Sequence, residues 1–274
     1  MRQRIITALW AIPLVFVFVY FDTPALGFPL IIFLISVLAV LGSLEFYRLA
    51  SLAGGQPLKV FGIVWALFFI VGAHFDEVYI TSSLLASAVA LPLVWLFSFR
   101  REKLLLNWGW TLAGILYMGW MLGHYVSLRE LNHGTELVLF ALLSTFACDT
   151  AAFFVGRTWG KRLLAPTISP KKTWEGAIAG FIAAAVVALV LRVLLNLNGW
   201  DLPLSYAHTI ALGCLIGLFA QLGDLLESLL KRRAGAKDSG SLMPGHGGIL
   251  DRIDSLVFTG AIVYYYALFI VESG

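Results

Sequence analysis

Apolar runs of about twenty residues recur from one end of the chain to the other, broken by short polar stretches. About twenty apolar residues in a helix cross the ~30 Å hydrocarbon layer of a bilayer, so each run reads as a transmembrane helix. The pattern predicts nine of them, at roughly 5–21, 26–43, 60–75, 79–98, 107–127, 136–155, 171–196, 207–230 and 249–270. The fold expected is an all-α polytopic integral membrane protein, a single transmembrane domain over residues 1–274. The third run is short, and the sixth, eighth and ninth carry ionisable residues. Connections are brief except at 44–59, 156–170 and 231–248. No internal repeat or low-complexity segment interrupts the pattern.

Arg2 and Arg4 ahead of the first run give it the look of a signal peptide. Its apolar core, from about Ile5 to Phe21, is longer than the ~7–15 residues of such a segment, and Thr23-Pro24-Ala25 is a poor cleavage site, so a retained span is expected. Composition narrows the picture. The chain is 60% hydrophobic, against ~45–50% for a soluble domain, which leaves no room for a large soluble portion. Cys148 and Cys214 both lie in apolar runs and read as buried thiols; no Cys/His zinc spacing exists.

Charge sets the orientation. With the N-terminus inside, the cytoplasmic loops and helix ends hold Arg2, Arg4, Arg48, Lys59, Arg100, Arg101, Lys103, Arg157, Lys161, Arg162, Lys171, Lys172, Lys231, Arg232, Arg233, Lys237 and Arg252, which is 17 of the 19 basic residues. Arg129 falls outside and Arg192 within a span. This is a strong positive-inside bias. An odd number of spans then puts the C-terminus on the outer side, and the basic loops 156–170 and 231–248 face the cytoplasm, where nucleotides are.

The chemistry gathers near the C-terminus. Asp224 and Glu227 lie three apart in an apolar run, and Asp251 and Asp254 repeat that spacing at the start of the last one. Residues i and i+3 share a helix face, so two helix ends could bring the pairs together around Mg²⁺, which takes one or two carboxylates plus waters and phosphate oxygens. Acids in a first helical turn also simply favour the dipole. Pro244-Gly-His246-Gly247-Gly248 leads into the last run; its glycines would let backbone N–H groups approach an anion, or form an ordinary turn. Ser169-Pro170-Lys171-Lys172-Thr173 leads into the seventh. Ser169 reads as an N-cap and Pro170 as the first helical residue. Lys171 and Lys172 in the first turn would oppose the dipole, a cost that makes sense if an anion binds there; positive-inside topology is the plainer alternative. Asp149, late in the sixth run, is either an active-site acid or a paired, snorkelling one.

From Ser228 to Asp254 the chain carries Ser228, Lys231-Arg232, Lys237-Asp238, Pro244, His246-Gly247-Gly248, Asp251-Arg252 and Asp254. This order and spacing resembles the C-terminal signature of phosphatidate cytidylyltransferases, also called CDP-diacylglycerol synthases, with Met243 a conservative apolar departure. Cys148 to Gly176 is also similar to that family. The resemblance implies transfer of a cytidylyl group from CTP to phosphatidate, giving CDP-diacylglycerol and pyrophosphate in phospholipid biosynthesis. It implies Mg²⁺ or Mn²⁺, with a second cation left open, a homodimer in a bacterial inner membrane with the site facing the cytoplasm, and no nucleic-acid partner. By the same resemblance residues 131–274 carry the site and 1–130 are mainly scaffold. Asp224, Asp251, Lys237 and Asp149 are then the catalytic residues, and Asp224, Asp251 and Asp254 hold metal, with Glu227 in support. Ser169, Lys171, Lys172, Thr173, Lys231, Arg232, His246, Gly247, Gly248 and Arg252 hold substrate.

Two rivals stand beside this reading. A CDP-alcohol phosphotransferase would carry an Asp-Gly-x-x-Ala-Arg motif, absent here. A cation-coupled transporter would place its acids at the midplane, whereas these cluster toward one face.

Overall fold

The computed structural model describes residues 17–20, 29–75, 78–98, 103–197, 199, 204–240 and 247–270. Its helices are α1 (Leu30–Leu52), α2 (Lys59–Gly72), α3 (Val78–Ser98), α4 (Leu104–Ile115), α5 (Leu122–Glu130), α6 (Gly134–Thr158), α7 (Trp174–Leu197), α8 (Tyr206–Arg233) and α9 (Leu250–Ile270), with a π-helical stretch, Leu116–Met121, between α4 and α5. A two-stranded antiparallel hairpin, β1 (Leu163–Ala165) and β2 (Ser169–Thr173), joins α6 to α7. Among the described residues six helices, α1, α3, α6, α7, α8 and α9, are long and apolar enough to cross a membrane. At 1.5 Å per residue the 14 residues of α2 reach ~21 Å, short of a ~30 Å core. The chain is thus an α-helical membrane protein. The run expected at 5–21 lies largely outside the described residues.

Two local differences from the sequence pattern matter for the site. The second apolar run was expected to end near residue 43, yet α1 continues to Leu52, and Glu45 and Tyr47 are buried within it. Polar residues do not end this helix because they find partners: the Tyr47 hydroxyl donates to the carbonyl of Thr111 at 2.9 Å. Further on, Ser169 and Pro170 do not begin a helix. Residues 169–173 form β2, and α7 starts at Trp174. The cap is instead Thr173, whose Oγ1 accepts from the Gly176 amide at 3.2 Å, as an N-cap side chain does for the third helical residue. Lys171 and Lys172 therefore do not lie in a first helical turn. Glu175 occupies that turn and accepts from the amides of Lys161 and Arg162, tying β1's approach to the start of α7.

The described residues fall into two units. One is drawn from Met1–Ser127 and Leu230–Ile253, the other from Leu128–Leu229 and Asp254–Gly274. In the first, Phe69, Ala88 and Ile115 form a buried core with Trp65, Leu84 and Trp120 packed against it. Side chains on α4 finish the bare amides ahead of α2: Asn107 Oδ1 accepts from Gln56 N at 2.6 Å and Thr111 Oγ1 from Leu58 N at 2.9 Å.

In the second unit small residues decide the packing. On α7 the buried positions are Gly176, Gly180, Ala184 and Ala188, a four-residue repeat along one face. Such a face lets helix backbones approach where bulkier side chains would hold them apart. A Cβ on Gly180 would lie 2.8 Å from the carbonyl oxygen of Cys148 on α6. Cys148, Ala184 and Ala220 make the buried cluster where α6, α7 and α8 meet. Cys148 is buried, as its apolar run suggests, whereas Cys214 is half-buried.

Gly180→Ala is expected to destabilise the protein by about 1–3 kcal/mol through overpacking. Gly109→Ala on α4, where an added Cβ would meet nothing within 4 Å, is expected to be neutral or mildly stabilising. Thermal unfolding in detergent followed by tryptophan fluorescence compares the two.

Candidate active site

In the second unit Asp224 and Glu227 stand one turn apart on α8 and meet Asp254 on α9; one carboxylate oxygen from each lies within 4.8 Å of the others. Close approach of the helices makes this possible. A Cβ on Gly223 would strike the carbonyl oxygen of Asp254, so glycine beside Asp224 seats α9's backbone directly on α8. Glu227 is fully buried and Asp254 is 9% exposed. The Lys172 ammonium, carried by β2, lies 2.7 Å from Asp224 Oδ2. On the other side Ser255 donates its backbone amide to Asp254 Oδ1 at 2.7 Å and its hydroxyl to Asp149 Oδ1 at 3.2 Å.

The electrostatics of this cluster ask for positive charge. Two ionised carboxylates ~4.8 Å apart repel by about 3–4 kcal/mol at an effective dielectric constant of ~20. Lys172 supplies one positive charge to a group of three acids with Asp149 close by. An all-oxygen, carboxylate-rich set suits a hard divalent cation such as Mg²⁺ or Mn²⁺ rather than a soft metal. Among the described residues this is the group of three acidic or metal-ligating side chains placed to hold an ion.

In the first unit Asp251 is held from several sides. Its Oδ1 lies 2.6 Å from the Lys231 ammonium, and both side chains are largely buried. Its Oδ2 accepts from the Gly248 amide at 2.8 Å, the Ser239 amide at 3.0 Å and the Ser239 hydroxyl at 2.9 Å. The chain turns tightly to present these amides: Gly247 has φ +82°, a conformation that favours glycine. Behind Ser239 sits Glu45 of α1, which the sequence pattern placed in a loop. Its Oε2 accepts from the Ser239 hydroxyl at 3.0 Å and from the Leu250 amide at 2.9 Å.

Each residue singled out in the sequence now has a place. Asp224, Asp254, Glu227, Lys172, Asp149 and Thr173 belong to the second unit; Asp251, Lys231, Gly247 and Gly248 belong to the first. Asp251 is not one of the three clustered acids; Glu227 is. Lys171, Arg232, Lys237 and Arg252 are exposed and Ser169 is half-buried. His246 lies outside the described residues. Sequence reasoning passed over Glu45, Ser239 and Ser255. The signal available for Glu45 was a lone acid within reach of a long apolar run, which is costly unless it has partners.

These sites sit in a chain whose relatives are known. The profile of the cytidylyltransferase family matches residues 2–270, and the chain belongs to that family. It is a nucleotidyltransferase. Over 238 residues it is 34% identical to the phosphatidate cytidylyltransferase of Brucella suis biovar 1, covering 85% of this chain and 83% of that protein. It is 40% identical over 156 residues to the phosphatidate cytidylyltransferase of Bacillus subtilis (strain 168), covering 57% of this chain and 56% of the relative. With phosphatidate cytidylyltransferase 5, chloroplastic, of Arabidopsis thaliana it shares 38% identity over 232 residues, 76% of this chain and 56% of the plant protein. The chain thus spans a little over half the length of two of these relatives and most of the third.

Asp254→Asn is expected to weaken Mn²⁺ binding at least about tenfold in detergent-solubilised protein, the least that loss of a ligand should cost when loss of its supporting residues costs about that much. Isothermal titration calorimetry reads it; unchanged affinity in folded protein would remove Asp254 from the cation site.

Proposed function

We infer that this enzyme transfers the cytidylyl group of CTP to phosphatidate, forming CDP-diacylglycerol and pyrophosphate. The observation that carries the reading is membership of the cytidylyltransferase family together with the cluster of Asp224, Glu227 and Asp254 beside Lys172. An oxygen of the lipid phosphate attacks the α-phosphorus of CTP; the new P–O bond forms as the bond to the β-phosphate oxygen breaks. The phosphate is already an anionic nucleophile, so the chain need not supply a strong general base. What opposes reaction is the mutual repulsion of two polyanions, and the protein's task is to neutralise and align them.

Asp224, Glu227 and Asp254 would hold a divalent cation, which supplies charge neutralisation to the triphosphate when bound. Lys172, 2.7 Å from Asp224 Oδ2, would hold a phosphate oxygen beside that cation. Lys231, oriented by Asp251, is a second phosphate cation, and the exposed Lys171, Arg232, Lys237 and Arg252 guide the anions in. Asp149 supports Asp254 through Ser255. Gly247, Gly248 and His246 contact substrate, with Ser169 and Thr173 shaping the hairpin that carries Lys172. Asp251 as a direct metal ligand is the second form of this reading, favoured by its i, i+3 relation to Asp254. The same proposal has nine spans with the N-terminus and the site cytoplasmic and the C-terminus outside, in a bacterial inner membrane, as a homodimer. The bias of basic residues supports the orientation.

Purified protein given labelled CTP, phosphatidate and Mg²⁺ or Mn²⁺ is expected to form CDP-diacylglycerol, and excess chelator to abolish it; equal turnover in chelator would reject the metal-assisted reading. Asp251→Asn separates its two roles. As the orienting partner of Lys231 it should leave Mn²⁺ affinity unchanged while kcat/KM falls at least about tenfold, whereas as a ligand it should lose Mn²⁺ affinity as Asp254→Asn does.

Cysteine labelling from either side of the membrane tests the topology. Position 235 is expected to be reachable from the cytoplasm and position 133 from the opposite side; the reverse would overturn the orientation.

A further inference from the structure

Glu45 is a carboxylate 4% exposed in a long apolar helix, outside the C-terminal signature and outside the acidic cluster. Retaining it there is costly unless it does something apolar residues cannot. Its Oε2 lies between two fixed points of the chain: the Ser239 hydroxyl at 3.0 Å and the amide of Leu250, first residue of α9, at 2.9 Å. The second contact caps α9 from another helix, placing an acceptor and negative charge where the helix has bare N–H groups.

The glycines around it point to the same role independently. A Cβ on Gly240 would strike Glu45 Oε1, and one on Gly248 would strike both Glu45 Oε2 and Ser239 Oγ. Gly240 and Gly248 are therefore the walls against which this carboxylate rests. Ser239 joins Glu45 to the site. Its hydroxyl lies 3.0 Å from Glu45 Oε2 and 2.9 Å from Asp251 Oδ2. A hydroxyl has one proton, so Ser239 divides it between the two acids, and a change at one is felt at the other.

We propose that Glu45 is a positioning residue for the reaction: it pins Ser239–Gly240 and Gly248–Leu250 together and, through Ser239, sets the orientation of Asp251 and hence of Lys231. The role rests on the cytidylyltransferase reading above. Glu45 touches no substrate in this scheme; it acts on the geometry of groups that do. Misplacing such groups by about 1 Å costs about a hundredfold in rate in sensitive cases.

The test is a double-mutant cycle on purified full-length protein, with CDP-diacylglycerol formation as the readout. Glu45→Ala and Ser239→Ala are each expected to lower kcat about tenfold or more. Together they should cost little more than the worse of the two, because they break one chain of contacts. Amide hydrogen exchange at Gly248 and Leu250 should speed up in Glu45→Ala, while exchange in the α6–α7 pair stays unchanged. Glu45→Gln, which keeps the volume and one acceptor oxygen, should fall between wild type and Glu45→Ala; where the alanine variant does not fold, Glu45→Gln carries the cycle. Folded Glu45→Ala with wild-type kcat, or losses that multiply in the double variant, would overturn the proposal. A wild-type enzyme inactive on CTP and phosphatidate would instead overturn the functional reading and is told apart by that control.

Discussion

Repulsion among carboxylates in a low-dielectric surrounding is the constraint around which the second unit is arranged. Asp224, Glu227 and Asp254 converge to within 4.8 Å, and each ionised pair costs about 3–4 kcal/mol at such a separation. Apolar burial does not create this arrangement; it has to be forced by packing and offset by cations. Packing comes from small residues: Gly223 admits the backbone of Asp254, and Gly180 with Ala184 and Ala188 brings α7 close enough for β2 to deliver Lys172. The geometry that makes the cluster costly also makes it a good receiver for a divalent ion.

The first unit handles charge differently. Asp251 is matched one to one by Lys231 and surrounded by backbone donors, and Glu45 is set against backbone and a serine rather than against a cation. A largely buried ion pair of this kind contributes little net stability, because desolvation offsets the attraction, but it fixes geometry and is costly to break on one side only. Removing Glu227 or Asp254 from the cluster relieves repulsion; removing Asp251 strands Lys231. The two sets of acids should therefore respond in opposite senses when stability is measured.

Much of this was legible in the residues. The runs at 79–98, 207–230 and 249–270 fall within a few residues of α3, α8 and α9, because long apolar segments carry their own boundary signal. The signature from Ser228 to Asp254 marked the family, and the spacing of Asp224 and Glu227 marked a shared helix face. Three things were not legible, each for a physical reason. The i, i+3 spacing of Asp251 and Asp254 predicts a common face but not which of the two meets Asp224, which depends on Gly223. Glu45 falls in the 44–59 connection of the apolar pattern because its partners, Ser239 and Leu250, lie about two hundred residues away in sequence. The hairpin at 163–173 was not legible because Ser169-Pro170 carries helix-start chemistry, while the extended form is held by pairing with the short β1 and by Glu175 tying the residues ahead of β1 to α7, contacts that no residue pattern announces.

That hairpin gives the two adjacent lysines different fates. Along a strand successive side chains point to opposite faces, and here Lys172 turns toward Asp224 while Lys171 is exposed. The sequence Lys-Lys reads as redundancy, yet the pleat makes it a register mark. Sliding β2 by one residue against β1 would withdraw the inner ammonium and offer the outer one in its place, with the cap at Thr173 displaced at the same time. The five residues of β2 lie against three of β1 with a register shift between Leu163 and Ala165, and that uneven pairing, rather than the identity of either lysine, determines which charge is admitted.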